Sequence, residues 1–265
     1  MQNYLITHPG LSDAGTVTGG TTANGLGVTN LQNPQPGSVA RFTDLGDVYI
    51  EIDLGSAMAI NFAGLLFGSW QSSAEFQVRG AGSPEALTTL PVYDSGTGGR
   101  ATTGTPRMTT HHLLHSFTAS SNRYWRIDIS DAGNPDTWID IGVLVLAIAW
   151  QVSMNPAFGA APLGVEDPGI VDQAIGGQLW PHQRPKRRVG QFTLDHMSKD
   201  EIYNNAFPLE WDRGVTKPIL VVPDLDDSAH VQRETIYGLM SGLSPAVHPD
   251  YGIWQKRIAI REMIA

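Results

Sequence analysis

Five side chains on neighbouring loops have the chemistry to hold a sugar ring. Trp70 lies in the loop GSWQSS, where an aromatic ring between small polar residues could stack on a pyranose face. The side chains that could hydrogen-bond the hydroxyl groups are Asn30, Gln32, Asn33 and Arg41. Aromatic side chains are also enriched in inter-subunit contacts, so Trp70 could instead fill one end of a fold or an interface. The residue types alone leave both interpretations open.

A basic run, PHQRPKRR, contains Arg184, Lys186, Arg187 and Arg188. Such a run could be an electrostatic docking strip for the acidic surface of a neighbouring subunit. The alternative is a segment that is only solvated. The natural acidic partner is the N-terminal half of another copy, because residues 1–150 contain no lysine and the whole chain carries a net charge of −9.

The motifs of the common enzyme classes are missing from the sequence, namely GxSxG, HExxH, the P-loop and the kinase signature. The histidine cluster His111, His112 and His115 lies in a strand-like segment, whereas zinc sites of this spacing lie on a helix with an accompanying glutamate. The acidic stretches at 166–167 and 224–227 lack the spacing of a calcium loop. We therefore expect no enzyme, no catalytic residues, no metal ligands and no cofactor.

The composition argues against several other classes of protein. Asp and Glu number 26 against 17 Lys and Arg, which disfavours nucleic-acid binding because basic side chains must neutralise the phosphates. The longest apolar run, residues 143–150, is far shorter than a membrane span, and no basic region followed by an apolar one opens the chain. We expect no membrane insertion and no signal peptide. The absence of cysteine favours synthesis in a reducing cytoplasm.

Alternating apolar and polar residues predict half-buried strands in the N-terminal half. In VYIEIDL, Val48, Ile50 and Ile52 oppose Tyr49 and Glu51, and the segment RYWRIDI alternates in the same way around Trp125. No helical period precedes Trp150, and residues 95–110 are expected to form a hairpin tip rich in glycine and threonine. This half therefore predicts an all-β sandwich.

The composition changes after Gln151, where the connector NPAFGAAPLGVEDPG marks a domain boundary. Ser198 and Glu201 have the spacing of a capping box, which predicts a helix from Lys199 to about Phe207. Strands are predicted on both sides of it, at 188–194, 219–222, 233–240 and 252–262. The second half is thus predicted to be an α+β domain with more sheet than helix.

Four stretches of the first half resemble the galactose-binding-like, discoidin-type sandwich: VYIEIDLGSAMAINFAGLLFG, AEFQVRGAG, RYWRIDIS and WIDIGVLVL. That family shows an Asp-Leu-Gly turn followed by an apolar strand, and a late Arg-Tyr-Trp/Ile-Arg strand. The resemblance implies a jelly-roll sandwich over residues 11–152. Related sandwiches often have a tryptophan beside an arginine near the first loop, where this chain has Arg41-Phe42. They often hold a structural Ca²⁺ through backbone carbonyls, which stays open here.

The whole chain resembles tail-tip (distal tail, baseplate) proteins of long-tailed bacteriophages. The resemblance is carried by WQVSMNPAFG, AIGGQLWPHQRPKRR, QFTLDHMS, RGVTKP, ILVVPD, IYGLMSGLSPAVHP and WQKRIAI. It implies a tail-protein domain at 153–265. Because Pro9-Gly10 separate QNYLIT from the sandwich, we expect residues 1–10 to complete that domain. The resemblance also implies a structural virion component, assembled in the host cytoplasm, that forms a threefold or sixfold ring and connects the tail tube to the hub, tape-measure or receptor-binding proteins.

Two other functions remain as alternatives. The first is a carbohydrate-binding module that recognises a glycan on the host surface. The second is an accessory domain of a secreted glycan-degrading enzyme. The missing signal peptide and the missing catalytic motif count against this last alternative.

Overall fold

The computed structural model describes residues 2–71, 74–96 and 111–264. These residues divide into two compact units, of which the first is Met1–Gln151 with Val221–Thr235 and the second is Val152–Leu220 with Ile236–Ile264. Most of the hairpin tip predicted at residues 95–110 lies outside the described residues. The domain bounds predicted from the sequence, including the completion of the second domain by residues 1–10, stay a prediction.

The first unit is built almost entirely from strands. Its strands are β1 (Leu5–Thr7), β2 (Thr16–Gly19), β3 (Ala40–Phe42), β4 (Val48–Gly68), β5 (Glu75–Ala81), β6 (Tyr93–Asp94), β7 (His111–Ser130), β8 (Ile139–Ile141), β9 (Val143–Ala147) and β10 (Trp150–Gln151). Strands β2, β4, β7, β5 and β6 form one antiparallel sheet in that order, with β9 pairing on β4; β3 pairs with β8, and β1 with β10. The predicted mainly-β sandwich is therefore present. Its helical turns are short, at Gly10–Ala14, Val28–Gln32, Ala86–Thr89 and Val231–Glu234.

The alternation of β4 and β7 places the core as predicted. Ile50 and Ile52 of β4 and Trp125 of β7 are fully buried in one hydrophobic cluster, while Tyr49 and Glu51 lie on the other face. Such alternation is what a sheet with one buried face requires. The apolar run 63–67 belongs to the same strand β4. Register shifts near Asp53, Ile60 and Leu65 let this strand continue.

The second unit contains strands and one helical segment. Its strands are β11 (Leu163–Glu166), β12 (Ile170–Gln173), β13 (Leu179–His182), β14 (Arg187–Met197), β16 (Ile236–Gly242), β17 (Val247–Asp250) and β18 (Ile253–Glu262), and β15 (Ile219–Val222) lies where the two units meet in the sequence. Strand β18 pairs with β14, β16 and β17, and β14 also pairs with β11. Strands β12 and β13 pair only with each other. The combination of sheet and helix is as expected, whereas a tail-protein type of domain stays a prediction.

The helix predicted from the capping box begins where expected but ends later. The Ser198 hydroxyl accepts the Glu201 N–H at 3.1 Å, as an N-cap should. Glu201 does not return to the cap; its carboxylate accepts the backbone N–H and the hydroxyl of Ser153. The segment continues through a π-turn at Ile202–Ala206 to Arg213. Pro208 does not end it, because a proline in the first turn of the following α-helix has no N–H to satisfy.

None of the helices in the described ranges is long and apolar enough to cross a membrane.

Candidate functional site

An arginine and an aspartate face outward from two paired strands of the first unit. Arg41 of β3 lies directly opposite Asp140 of β8. The neighbours of both residues along the strands are buried, so the alternation turns these two side chains away from the core. The guanidinium donates two hydrogen bonds to the carboxylate, from Nε at 2.7 Å and from Nη2 at 2.8 Å. This bidentate bond raises the pKa of Arg41 and fixes the orientation of its planar head.

The indole ring of Trp138 lies under this guanidinium. The Arg41 Cζ is 4.9 Å from the ring centroid, which is cation–π geometry. Trp138 immediately precedes β8 and is 38% exposed, so it presents apolar surface beside the polar groups of the ion pair. The residue before it, Thr137, has φ +60°, a left-handed conformation that turns the loop into the strand.

Buried polar side chains hold the loop that carries Trp138. The carboxylate of Asp131, which is buried, accepts hydrogen bonds from the Gln71 N–H and from the Asn134 amide, both at 2.9 Å. The Asn134 amide also donates to the carbonyl of Ser69. The hydroxyl of Ser69 in turn accepts the N–H of Asp140. The loop and the strand are thereby tied by hydrogen bonds to residues 69–71, next to the Arg41–Trp138 site (Arg41, Trp138 and Asp140).

Trp70 does not belong to this site, and the prediction that it stacks on a sugar is wrong. The side chain is 2% exposed and is part of the hydrophobic cluster of the sandwich. Its ring lies against the backbone of Gly68, where a Cβ atom would be only 2.0 Å from Cζ3. The alternative interpretation, that Trp70 fills the fold, is the correct one.

The three predicted amides form hydrogen bonds within the chain, and their contact with a glycan stays a prediction. Asn30 donates to the carbonyl of Val39 at 2.9 Å, and Gln32 donates to those of Ser12 and Gly15. The Asn33 side-chain oxygen accepts the N–H of Gln35. Of the five residues proposed from the sequence, only Arg41 therefore lies in the Arg41–Trp138 site.

Trp138 and Asp140 were not predicted as site residues, although the sequence contains a signal for them. The stretch WIDI has the period of a strand, so Trp138 and Asp140 had to share a face opposite to Ile139 and Ile141. What the sequence does not give is the pairing with Arg41, which is 99 positions away.

The basic run of the second unit is largely paired within the chain. Arg187 donates to Glu166 at 2.7 Å and lowers the pKa of that carboxyl. Arg188 forms a buried ion pair with Glu262, and Lys186 lies 3.4 Å from Asp167. These partners reduce the charge that the run can offer to another subunit. The docking strip with Arg184 as its remaining member stays a prediction.

The histidine cluster does not converge on one point. His112 is buried, and its Nδ1 accepts the Phe67 N–H at 3.3 Å. His115 is hydrogen-bonded to the Tyr93 hydroxyl at 2.7 Å, and burial lowers the pKa of His111. In the described part of the chain, no group of three or more histidine and carboxylate side chains is placed to hold a metal ion. A calcium ion held by backbone carbonyls stays open.

Comparison with known proteins gives similarities of structure only. No family model and no curated protein matches the sequence. Several solved structures are similar to about half of the chain, and three of them illustrate the similarity. The first is the CBM32 of AlyQ in complex with 4,5-unsaturated mannuronic acid, with 26% identity over 50% of this chain and 93% of that chain and a TM-score of 0.36. The second is the lectin domain of lectinolysin complexed with Lewis B antigen, with 19% identity over 51% of this chain and 93% of that chain and a TM-score of 0.36. The third is a chitosan-binding module from a chitosanase/glucanase of Paenibacillus sp. IK-5, with 17% identity over 51% of this chain and 95% of that chain and a TM-score of 0.39. The tail-tip identity stays a prediction.

Proposed function

We propose that the first unit is a carbohydrate-binding module whose ligand rests on the Arg41–Trp138 site. The observation that carries the proposal is the juxtaposition of an exposed indole with a fixed bidentate ion pair. A pyranose has an apolar C–H face and an edge of hydroxyl groups. Trp138 can pack against the C–H face, because a tryptophan combines a large apolar surface with a defined orientation.

The ion pair supplies the polar half of such a site. Arg41 keeps N–H donors beyond the two that bind Asp140, and the carboxylate oxygens can accept further hydrogen bonds. A donor and an acceptor held side by side match two adjacent hydroxyl groups of one sugar. Specific small-molecule sites are generally built in this way, from apolar surface and a few fixed polar groups.

A glycan array followed by calorimetry with Trp138→Ala tests the proposal. We expect the substitution to weaken binding by about 2 kcal/mol, roughly thirtyfold in Kd, as for an aromatic hot spot. Arg41→Lys should also weaken it, because lysine keeps the charge but loses the planar fork. The matched control is Trp211→Ala, which removes an exposed tryptophan of the other unit. A wild-type chain that binds no glycan, or Trp138→Ala with unchanged affinity, contradicts the proposal.

A second candidate function is self-assembly into a structural ring, and the hairpin of β12 and β13 favours it. All eight residues of its two strands are exposed. Ile170 and Trp180 lie on one face, and Val171 and Leu179 on the other. An isolated two-stranded hairpin is marginal in water, and apolar side chains on both faces need cover. A neighbouring copy in a closed ring would supply it.

The oligomeric mass in solution tests this second candidate. We expect an oligomer of the wild-type chain and a smaller species for Val171→Ser combined with Trp180→Ser, with unchanged circular dichroism. A wild-type chain that stays monomeric at high concentration counts against the ring and against the tail-tip role that depends on it. Both candidates are binding functions without a chemical step.

A further inference from the structure

The charges around the Arg41–Trp138 site decide which class of sugar fits it, an inference that rests on the proposed glycan-binding function. Arg41 is the cation of the site, and the carboxylate of Asp140 already neutralises it through two hydrogen bonds of 2.7 and 2.8 Å. Asp136, which is exposed, lies two residues before Trp138 in the same loop. Its N–H donates to the side-chain oxygen of Asn134 at 3.0 Å, which ties it to the hydrogen bonds that hold this loop. The two carboxylates and one guanidinium leave an excess of negative charge.

No second permanently charged cation is open to an acidic ligand within the described residues 2–71, 74–96 and 111–151. The first half of the chain contains no lysine. Each other arginine of these ranges donates to a carboxylate, in the pairs Arg79–Asp128, Arg123–Asp53 and Arg126–Glu51. A carboxylated or sulfated sugar would therefore have to share Arg41 with Asp140, and like charges at short range repel.

The hydrogen-bonding capacity of Asp140 favours a ligand that donates. Each oxygen of its carboxylate has two lone pairs and accepts one N–H of Arg41, so one lone pair on each oxygen stays available. The Asp140 side chain is 21% exposed, which leaves it within reach of a ligand. An ammonium group is a donor only, whereas a hydroxyl group beside it can accept from Arg41. A hydrogen bond between an ammonium and a carboxylate is stronger than one between neutral groups.

We propose that the Arg41–Trp138 site takes amino sugars. The free amine of a 2-amino sugar binds Asp140, the adjacent hydroxyl group binds Arg41, and the C–H face of the ring rests on Trp138. Neutral sugars bind less tightly, and sugars with a carboxylate or sulfate group bind least. The net charge of −9 favours the same order, because the field of the whole chain concentrates cationic ligands.

Titration of the full chain with matched methyl glycosides tests this order. The gluco, galacto and manno series each supply a neutral sugar, its 2-amino form and its uronate, so that the configuration of the ring is varied separately from its charge. Ligand-observed NMR at low ionic strength and about pH 6 measures the affinities. We expect the amine to bind about fivefold tighter than the neutral sugar and the uronate about fivefold weaker, the effect of one close charge pair in water. Sodium chloride at about 0.5 M should bring the three affinities together.

Three variants locate the source of the preference. Asp136→Asn should reduce the advantage of the amine over the neutral sugar by at least half. Glu85→Gln is the matched control, because it removes an exposed carboxylate of the same unit with the same change in net charge, and it should leave the order unchanged. Asp140→Asn releases Arg41 from its ion pair and should make the uronate the tightest of the three ligands.

The amino-sugar proposal and the proposed function fail in different ways. Neutral sugars that bind while amines bind no tighter, or while uronates bind as tightly, overturn the amino-sugar proposal and leave the proposed function intact. A preference that Glu85→Gln weakens as much as Asp136→Asn also overturns it, because the whole chain would then be its source. A chain that binds none of the methyl glycosides overturns it as well, and the proposed function fails too if no glycan of the array binds. Circular dichroism of each variant separates a loss of binding from a loss of the fold.

Discussion

The two units of this chain place their large apolar side chains in opposite ways. The first unit encloses them, as with Trp70, Trp125 and Phe42, which are buried in a single cluster. The second unit leaves in water most of the exposed large apolar side chains found among the described residues, with Trp180 and Trp211 as its clearest cases. Exposed apolar patches mark surfaces that meet a partner. The second unit therefore has more exposed apolar surface than the first.

One arginine ion pair in each unit differs from the other in how far its carboxylate is buried. On the outer face of the sandwich, Arg126 binds Glu51 and Asp128 at 2.7 and 2.8 Å and lies over the ring of Tyr49. In the second unit an ion pair is buried, with the side chains of Arg188 and Glu262 14% and 3% exposed. The two arginines are about equally covered, and the difference lies in the carboxylates, which are 27–29% exposed around Arg126 and 3% exposed at Glu262.

Replacing one tryptophan in each unit tests whether the first unit buries its large apolar side chains and the second leaves them exposed. Trp125→Ala empties the centre of the sandwich and should cost about 3–5 kcal/mol in the free energy of unfolding. Trp211→Ala removes an equally large but exposed ring and should change it by less than about 0.5 kcal/mol in the monomer. Urea unfolding followed by circular dichroism measures both. Equal losses would show that Trp211 belongs to a core.

The buried ion pair gives the next largest effect. Glu262→Gln leaves the guanidinium of Arg188 buried without its charged partner and should cost about 3 kcal/mol. The double variant Arg188→Met, Glu262→Met removes both charges and should be markedly more stable than the single variant. The same unfolding experiment measures both. A single variant as stable as the wild type would show that the pair is solvated.

A smaller effect is expected where Trp70 lies on the backbone of the sandwich. Gly68→Ala places a methyl group inside the space of the indole ring and should cost about 1–3 kcal/mol, because the ring must move. Gly82→Ala is the control, since nothing lies within 4 Å of its added methyl group. Thermal unfolding of the two variants measures the difference. No effect at Gly68 would place Trp70 outside the core.

The last effect is a pH dependence of the first unit, which is absent at neutral pH. Burial, and then the nearby charge of Asp94, raises the pKa of Tyr93 to about 12. The folded state therefore favours the neutral phenol, and this contribution is complete below pH ~10 and lost as the pH rises toward ~12. Tyr93→Phe should abolish the loss over that interval. Absorbance of the phenolate and stability measured against pH check it; a Tyr93 that titrates near 10 would contradict it.

The sequence predicted those parts of the fold that depend on local period. Alternation identified the buried face of β4 through Ile50 and of β7 through Trp125, because one buried face per sheet imposes a period of two. The Ser198 cap located the start of the helical segment. The end of the segment was not predicted correctly, because Pro208 is tolerated only after the π-turn at Ile202–Ala206. Helix propensities do not predict such a turn.

The site was less predictable, because it depends on contacts between distant residues. The polar neighbours of Trp70 indicate a surface loop, yet the contact with Gly68 that buries the ring is a tertiary feature. Arg41 was identified without its partners. Trp138 and Asp140 reach it only through the register of β3 with β8, which the turn-rich sequence between them does not specify.

The length of β4 has a consequence for how the sandwich opens. Paired with β7 from Val48 opposite Ile129 to Gly68 opposite His111, it runs through the whole of the first unit's main sheet. Neither end of this ribbon can be released without loosening a strand that the other end shares. Backbone amides along β4 should therefore exchange with deuterium through one common opening, as a single cooperative block.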